Sequence, residues 1–224
     1  MQEHDENEYT GFDPAEEPAD PNPYRCVFDT ETTGFASPKL SATDPKQNVV
    51  VELGCSLINV NTFKVEQSFS VIICTPEPFI NSFVVDVHGI TNEFSIAVGC
   101  DLELALANFV HMAKVSNWQF VGHNIDFDKR MMLIMLERSS AFRQYINDFN
   151  QGDFYCTMER SKNIVKCPPT DKMVKAGFGN QFKPPKLEEA YRFFYPERPM
   201  FDAHRVSGDV QATVDVFKKI YEEY

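Results

Sequence analysis

Four acidic residues of this 224-residue chain sit in three short stretches whose neighbours suggest one chemistry. The stretches read Phe28-Asp29-Thr30-Glu31-Thr32-Thr33-Gly34, Gly122-His123-Asn124-Ile125-Asp126-Phe127-Asp128 and His204-Arg205-Val206-Ser207-Gly208-Asp209. Asp29 and Glu31 are two apart at the end of an apolar run, so strand alternation puts both on one face. Two carboxylates on one face repel unless a cation lies between them. Carboxylate oxygen without thiolate selects magnesium or manganese over zinc. Taken alone, the pair also fits a solvated strand end, and Thr32-Thr33-Gly34 lets the backbone turn sharply there. In the second stretch Asp126 and Asp128 compete, both near a helix start where the dipole favours acids. His123 and Asn124 suit the strand-to-helix turn or a hydrogen bond to a ligand. His204 stands five residues before Asp209, and an ordinary imidazole pKa of about 6.5 suits proton abstraction from water near neutrality. Together these groups point to metal-assisted hydrolysis of a phosphodiester.

The elements that must position them follow from apolar periodicity. Cys26-Val27-Phe28 reads as a buried strand ending at Asp29. Val49 to Asn61 and Phe63 to Cys74 read as two more strands joined by a turn at Asn61-Thr62. Leu102, Leu104, Ala105, Leu106, Phe109, Val110 and Ala113 form a helical stripe behind Asp101 as a cap. Trp118 to Gly122 is a short strand, Asp126 to Arg138 a helix, 141–150 a second helix and Phe154-Tyr155-Cys156 a last strand. Leu187 to Tyr195 and Val206 to Tyr221 are helical, and 165–186 is a loop rich in Pro, Gly and Lys. Strands first, then alternating helix and strand, predict an α/β fold with a mixed five-stranded sheet flanked by helices.

Composition narrows the class. Residues 1–23 carry eight acids, no Lys or Arg and four Pro, and are expected to be a disordered acidic tail before a single domain over 24–224. The rest of the chain holds 21 basic against 25 acidic residues, so the net charge of −12 comes largely from the tail. A broad basic footprint is excluded, and binding should be local. The six Cys include no C-x-x-C pair, which argues against a thiolate metal site. With no secretion signal and no apolar run of membrane-spanning length, the expected location is intracellular, in cytoplasm or nucleus. The acidic tail is a possible handle for a protein partner.

The three stretches together resemble the DEDDh family of 3′→5′ exonucleases, which belongs to the ribonuclease H-like superfamily and includes the proofreading subunit of bacterial replicative polymerases, RNase T and oligoribonuclease. FDTETTG matches the first family motif, HNIDFD the second and His204 through Asp209 the third. The second match selects Asp128 and leaves Asp126 as a spacer. The sister subfamily has Tyr four before the last acid, where this chain has Arg205. Val51-Glu52-Leu53-Gly54, Val87-His88-Gly89-Ile90-Thr91, Cys156-Thr157-Met158 and Lys186-Leu187-Glu188-Glu189 resemble further family stretches. The loop 35–48 looks long for the family, and 165–186 looks like an insertion.

The resemblance implies a ribonuclease H-like three-layer fold and two magnesium or manganese ions per site, with Asp29, Glu31, Asp128 and Asp209 as ligands and His204 as the base. It implies substrate contacts from Thr30, Thr32, Thr33, Gly34, His88, Gly89, Ile90, Asn124 and Phe127. The implied reaction releases nucleoside 5′-monophosphates from single-stranded 3′ ends of DNA or RNA. Phe35, Phe79, Phe83 and Phe127 are candidates for base stacking, although core packing also explains each of them. Lys166, Lys172, Lys175, Lys183 and Lys186, against the single acid Asp171, suit a segment that follows a phosphate backbone. Two rivals stand beside this reading. One is a non-catalytic nucleic-acid- or protein-binding module that keeps the fold, disfavoured by the intact acids. The other is a zinc or iron hydrolase, disfavoured because the five His have no ligand-like spacing.

Overall fold

The computed structural model describes residues 20–78, 80–200 and 205–224. The expected tail up to residue 19, Phe79 and His204 therefore lie outside the described residues. Strands β1 (Tyr24–Thr32), β2 (Val50–Asn59) and β3 (Lys64–Ile72) are followed by helices α1 (Ser82–His88), α2 (Asn92–Val98) and α3 (Leu102–Val115). Then come β4 (Gln119–Gly122), α4 (Ile125–Arg138), α5 (Ile146–Gln151), β5 (Asp153–Cys156), α6 (Thr157–Val165), α7 (Asp171–Lys175), α8 (Leu187–Phe194) and α9 (Val206–Glu223). The sheet order is β3-β2-β1-β4-β5. The β1–β2 and β2–β3 pairs are antiparallel, whereas β1–β4 and β4–β5 are parallel. This is the mixed five-stranded α/β architecture that the periodicity predicts.

Alternation along β1 divides its side chains between two layers. Cys26 and Phe28 point into a core shared with α3 and α4, where Phe28, Phe109, Phe120 and Phe149 meet. The Phe28–Phe109 and Phe120–Phe149 rings lie edge to face with centroids 5.3 and 5.2 Å apart. Truncating one such buried ring to Ala costs about 3–5 kcal/mol. Val27 points the other way, onto Val210, Val214 and Phe217 of α9. The sheet thus lies between α3 and α4 on one face and α9 on the other. The same alternation puts Asp29 and Glu31 on the α9 face and Thr30 on the α4 face.

The structure departs from the periodic reading in a few places, each with a physical reason. Helices α1 and α2 have seven residues apiece and bury only His88 in the first and Asn92 and Ser95 in the second. They therefore have no apolar stripe to detect, and are marked instead by caps, with Asn81 and Thr91 accepting from the Phe83 and Phe94 amides. Helix α6 buries Thr157 and Ser161, polar residues four apart that a hydrophobic pattern passes over. The segment 165–186 is not all loop: Thr170 caps the short helix α7. Asp101 occupies the N-cap position of α3 but makes no side-chain capping bond, so it does not cap as expected. The helix expected over 141–150 opens as a 3-10 turn at Arg143–Tyr145 before α5. Among the described residues no helix is long and apolar enough to cross a membrane.

Candidate active site

The acids gather at one edge of the sheet. Oxygens of Asp29, Glu31 and Asp209 all lie within 4.8 Å of one another. The first two come from the end of β1 and the third from the first turn of α9. Asp128 approaches from the opposite layer, because α4 packs on the other face of β1. It is 3 % exposed, while Asp126 two residues earlier is exposed, so burial separates the two candidates. Asp128 Oδ1 accepts from the Thr30 amide at 3.0 Å and from the Thr30 hydroxyl at 2.7 Å. The paired positions of β1 and β4 end at Val27–Val121, so Thr30 lies beyond their ladder and its amide is open to Asp128.

Burial and mutual repulsion dominate the electrostatics. Burial first, then Asp128, Asp209, Glu31 and Glu52, push the Asp29 carboxyl well above its ordinary range. Burial, then the carboxylates of Asp209, Glu52 and Asp128, raise Glu31 to about 8, with Arg205 pulling the other way. Burial raises Asp128 to about 7 against the two Thr30 hydrogen bonds, and Asp209 adds to the rise. Among the described residues, neither the Asp29 nor the Glu31 side chain makes a hydrogen bond or an ion pair. Burial and repulsion thus disfavour the ionised forms of Asp29, Glu31 and Asp128, and a cation among them would relieve both. The donor set is carboxylate oxygen alone, which fits a hard divalent ion.

The residues around the acids form a bonded frame. Thr33 is buried; its amide donates to the Val49 carbonyl at 2.9 Å and its hydroxyl to Asn48 Oδ1 at 2.8 Å. The Thr32 hydroxyl donates to the Gly34 carbonyl at 3.0 Å. Gly34 has φ +149°, and a Cβ there would lie 3.0 Å from Asn48 Nδ2. His88 is buried below this turn. The Ile90 amide donates to its Nδ1 at 3.0 Å, which leaves the proton on Nε2 to donate to the Thr32 carbonyl at 3.2 Å. Burial holds the His88 pKa below its ordinary value. Ile90 is buried against Val51 and Ile80. The side chains of Thr30, Thr32, Thr33, His88 and Ile90 are thus turned inward, whereas Gly34, Gly89, Asn124 and Phe127 reach the surface to different degrees. Asn124 takes the left-handed conformation, φ 62°, in the turn that starts α4.

His123 joins the end of β4 to a distant segment. Its Nε2 donates to the Pro185 carbonyl at 3.0 Å and its Nδ1 faces the Thr157 hydroxyl at 2.9 Å. Burial lowers its pKa to about 4, so the ring is neutral. Two residues before Pro185, the Lys183 amide donates to the Cys167 carbonyl at 3.1 Å and closes the neck of the 168–182 excursion. Val174, Phe178 and Phe182 on that excursion are exposed.

A groove of ≈ 1010 Å³ opens beside the Thr33-Gly34 turn, lined by Phe35, Lys46, Pro78, Asn81 and Phe83 among others. Phe35 is 78 % exposed and stands edge to face on Phe127 at 5.7 Å, and Phe83 is 71 % exposed. The long 35–48 loop that walls the groove is firmly held. Gln47, 2 % exposed, donates to the Ser37 and Leu40 carbonyls and accepts from the Ser37 and Asn48 amides. Arg138 donates to the Ala42 and Asp44 carbonyls at 2.7 and 2.6 Å.

A fifth carboxylate belongs to this edge. Glu52 stands opposite Glu31 in the β1–β2 register, is 1 % exposed and is paired with Arg205. Sequence reasoning gave neither residue a role. Nothing local to either signals a contact across 153 positions of chain.

The fold agrees with solved nucleases at low sequence identity. E. coli exonuclease I bound to single-stranded DNA superposes with a TM-score of 0.64 at 16 % identity, over 89 % of this chain and 41 % of that one. This chain therefore spans about two fifths of exonuclease I. The nuclease domain of 3′hExo, a DEDDh family member bound to rAMP, gives 0.58 at 14 % identity, over 92 % and 94 % of the two chains. Cell-death related nuclease 4 gives 0.59 at 16 % identity, over 90 % and 64 %. No curated protein matches the chain in sequence. The family model described as exonuclease, of the RNase T type, matches residues 26–217. With that match spanning nearly all of the sheet and its helices, the chain belongs to the RNase T-type exonuclease family.

Proposed function

We propose that the protein is a two-metal-ion 3′→5′ exonuclease that removes nucleoside 5′-monophosphates from single-stranded 3′ ends of DNA or RNA. The observation that carries this reading is the meeting of Asp29, Glu31 and Asp209 within 4.8 Å, where burial and mutual repulsion disfavour ionisation of Asp29 and Glu31. Asp29, Glu31 and Asp209 would hold one divalent ion, with Asp29 and Asp128 serving a second. Magnesium or manganese bound there would acidify the attacking water and stabilise the departing 3′ oxygen. His204, five residues before Asp209, is the group assigned to take the water's proton. Asp128 is aligned by Thr30, which fixes the end of β1 and the acid together. The backbone of Thr32-Thr33-Gly34, stiffened by His88 from below and Asn48 from the side, is suited to approach the terminal sugar, with Gly89, Ile90 and Asn124 nearby in the motif order. Phe35, propped by Phe127, and Phe83 supply faces on which an unpaired base can stack. The lysines of 166–186 rise from a neck bonded to the end of β4, which suits a path for the strand behind its terminal nucleotide. The domain on this reading runs from residue 24 to the end of the chain.

Single-stranded oligomers labelled at either end test the proposal. With Mg²⁺, a 3′ label should leave as the 5′-mononucleotide while a 5′ label moves down a ladder one nucleotide at a time. Asp29→Asn and His204→Ala should each reduce the rate by roughly 10²–10³-fold or more. Release from the 5′ end, undiminished release in EDTA, or full activity of Asp29→Asn would sink it.

A further inference from the structure

Arg205 makes a forked contact with Glu52. Its Nε donates to Glu52 Oε1 and Oε2 at 3.2 and 3.0 Å, and its Nη2 donates to Oε1 at 2.7 Å. The Ser70 hydroxyl on β3 donates to the same carboxylate at 3.3 Å. The Arg205 carbonyl accepts from the amides of Gly208 and Asp209 at 2.9 and 3.1 Å. One residue is thus bonded through its side chain to β2 and through its backbone to the turn that carries Asp209.

The next residue is seated on the same strand. Gly54, two positions after Glu52 and opposite Asp29, leaves room for Val206, since a Cβ there would lie 2.8 Å from Val206 Cβ and Cγ2. The first turn of α9 is therefore docked on β2 directly across from Asp29 and Glu31. Without its partner, Glu52 would be a buried carboxylate opposite Glu31, and like charges in that relation repel.

We infer that Glu52 and Arg205 are a positioning pair: their fork sets the first turn of α9 on β2 and so delivers the Asp209 carboxylate to Asp29 and Glu31. The inference rests on the proposed metal-assisted reading of the site. Within it, Arg205 also cancels the charge of Glu52, leaving the charge of Asp29, Glu31, Asp128 and Asp209 for two divalent ions to balance. Neither member of the pair is a catalytic residue, because each acts through Asp209.

The test uses the full chain. Arg205→Lys keeps the charge but loses the fork. It should raise the Mn²⁺ dissociation constant measured by calorimetry, and lower turnover at saturating Mn²⁺, by roughly 10-fold or more, the scale of lost ligand-orienting partners. Glu52→Gln should act in the same direction and more strongly. If Glu52→Gln does not fold, Arg205→Lys alone decides. Native Mn²⁺ affinity and turnover in a folded variant overturn the inference, whatever its melting temperature. A metal-free measurement separates this outcome from failure of the proposed function. In EDTA, Glu31→Gln should raise the melting temperature by removing the charge that faces Asp209, and the gain should shrink in the Arg205→Lys background. Equal gains, or no gain in the native background, defeat the positioning role even if the protein cuts nucleic acid. A shrinking gain in a protein that neither binds Mn²⁺ nor hydrolyses oligomers supports the positioning role and defeats only the nuclease mechanism.

Discussion

The acidic edge has a supported margin and an unsupported centre. At the margin, Asp128 accepts two hydrogen bonds from Thr30, and Glu52 is gripped by Arg205 and Ser70. At the centre, Asp29 and Glu31 meet Asp209 with no donor from the described residues on either β1 side chain. Among the described residues, donors stabilise the acids that frame the site and none reaches the side chains of the central pair. A fold that only needed a stable strand end would satisfy both groups, because unsatisfied buried charge is costly. The difference marks the central pair as the place where the proposed divalent ions would act.

The largest expected test of this contrast is the pH dependence of the metal-free protein. The folded-state pKa values of Asp29, Glu31 (about 8) and Asp128 (about 7) all lie above their ordinary values. The folded chain therefore keeps protons that the unfolded chain has released. That contribution is fully present in acid and is lost as pH rises from the ordinary carboxylate range to about 8. His123, held to about 4, has the opposite sign, but only below its ordinary value of 6.5, where an unfolded imidazole gains a proton. The acid effect is therefore isolated between pH 6.5 and 8. In EDTA the melting temperature should fall across that interval, and Mn²⁺ should flatten the slope. A flat metal-free profile would break the contrast.

Single substitutions should give opposite signs in the two regions. Glu31→Gln at pH 8 in EDTA should raise the melting temperature by roughly 2–6 °C, on the scale of relieving one unfavourable buried charge. It should abolish hydrolysis at the same time. A lower melting temperature would mean that Glu31 has a stabilising partner after all. The smallest effect belongs to the margin. Thr30→Val removes the hydroxyl donor at 2.7 Å from Asp128 but leaves the amide bond. It should cost about 1–2 kcal/mol, read as a lower melting temperature in EDTA. No loss would show that the amide alone holds Asp128.

Much of this arrangement was legible in the sequence because local pattern determines it. The apolar run before Asp29 and the helical stripe of α3 predicted a mixed sheet flanked by helices, and the family resemblance implied three layers. Helical phase even bears on the Asp126–Asp128 choice, since Asp128 shares a face with the buried Met131, Met132 and Met135. What escaped notice depends on tertiary contact. Helices α1 and α2 are defined by caps and a buried His rather than by apolar period. The 35–48 segment reads as a polar loop, yet it folds around the buried side chain of Gln47. Glu52 stood in a stretch that resembles a family strand but had no role of its own, and Arg205 stood where the sister subfamily has tyrosine. Only the register of β1 with β2 and the seating of α9 show that these two residues belong together.

The Gly54–Val206 contact makes one prediction about tolerance to sequence change. Val206 is branched at Cβ and is fully buried, so it cannot rotate aside for a neighbour. A single added methyl group at residue 54 must lever the last helix away from the sheet, carrying Asp209 with it. A close-packing requirement then falls on a residue with no chemistry of its own: the space that Gly54 leaves open keeps Asp209 beside Asp29 and Glu31.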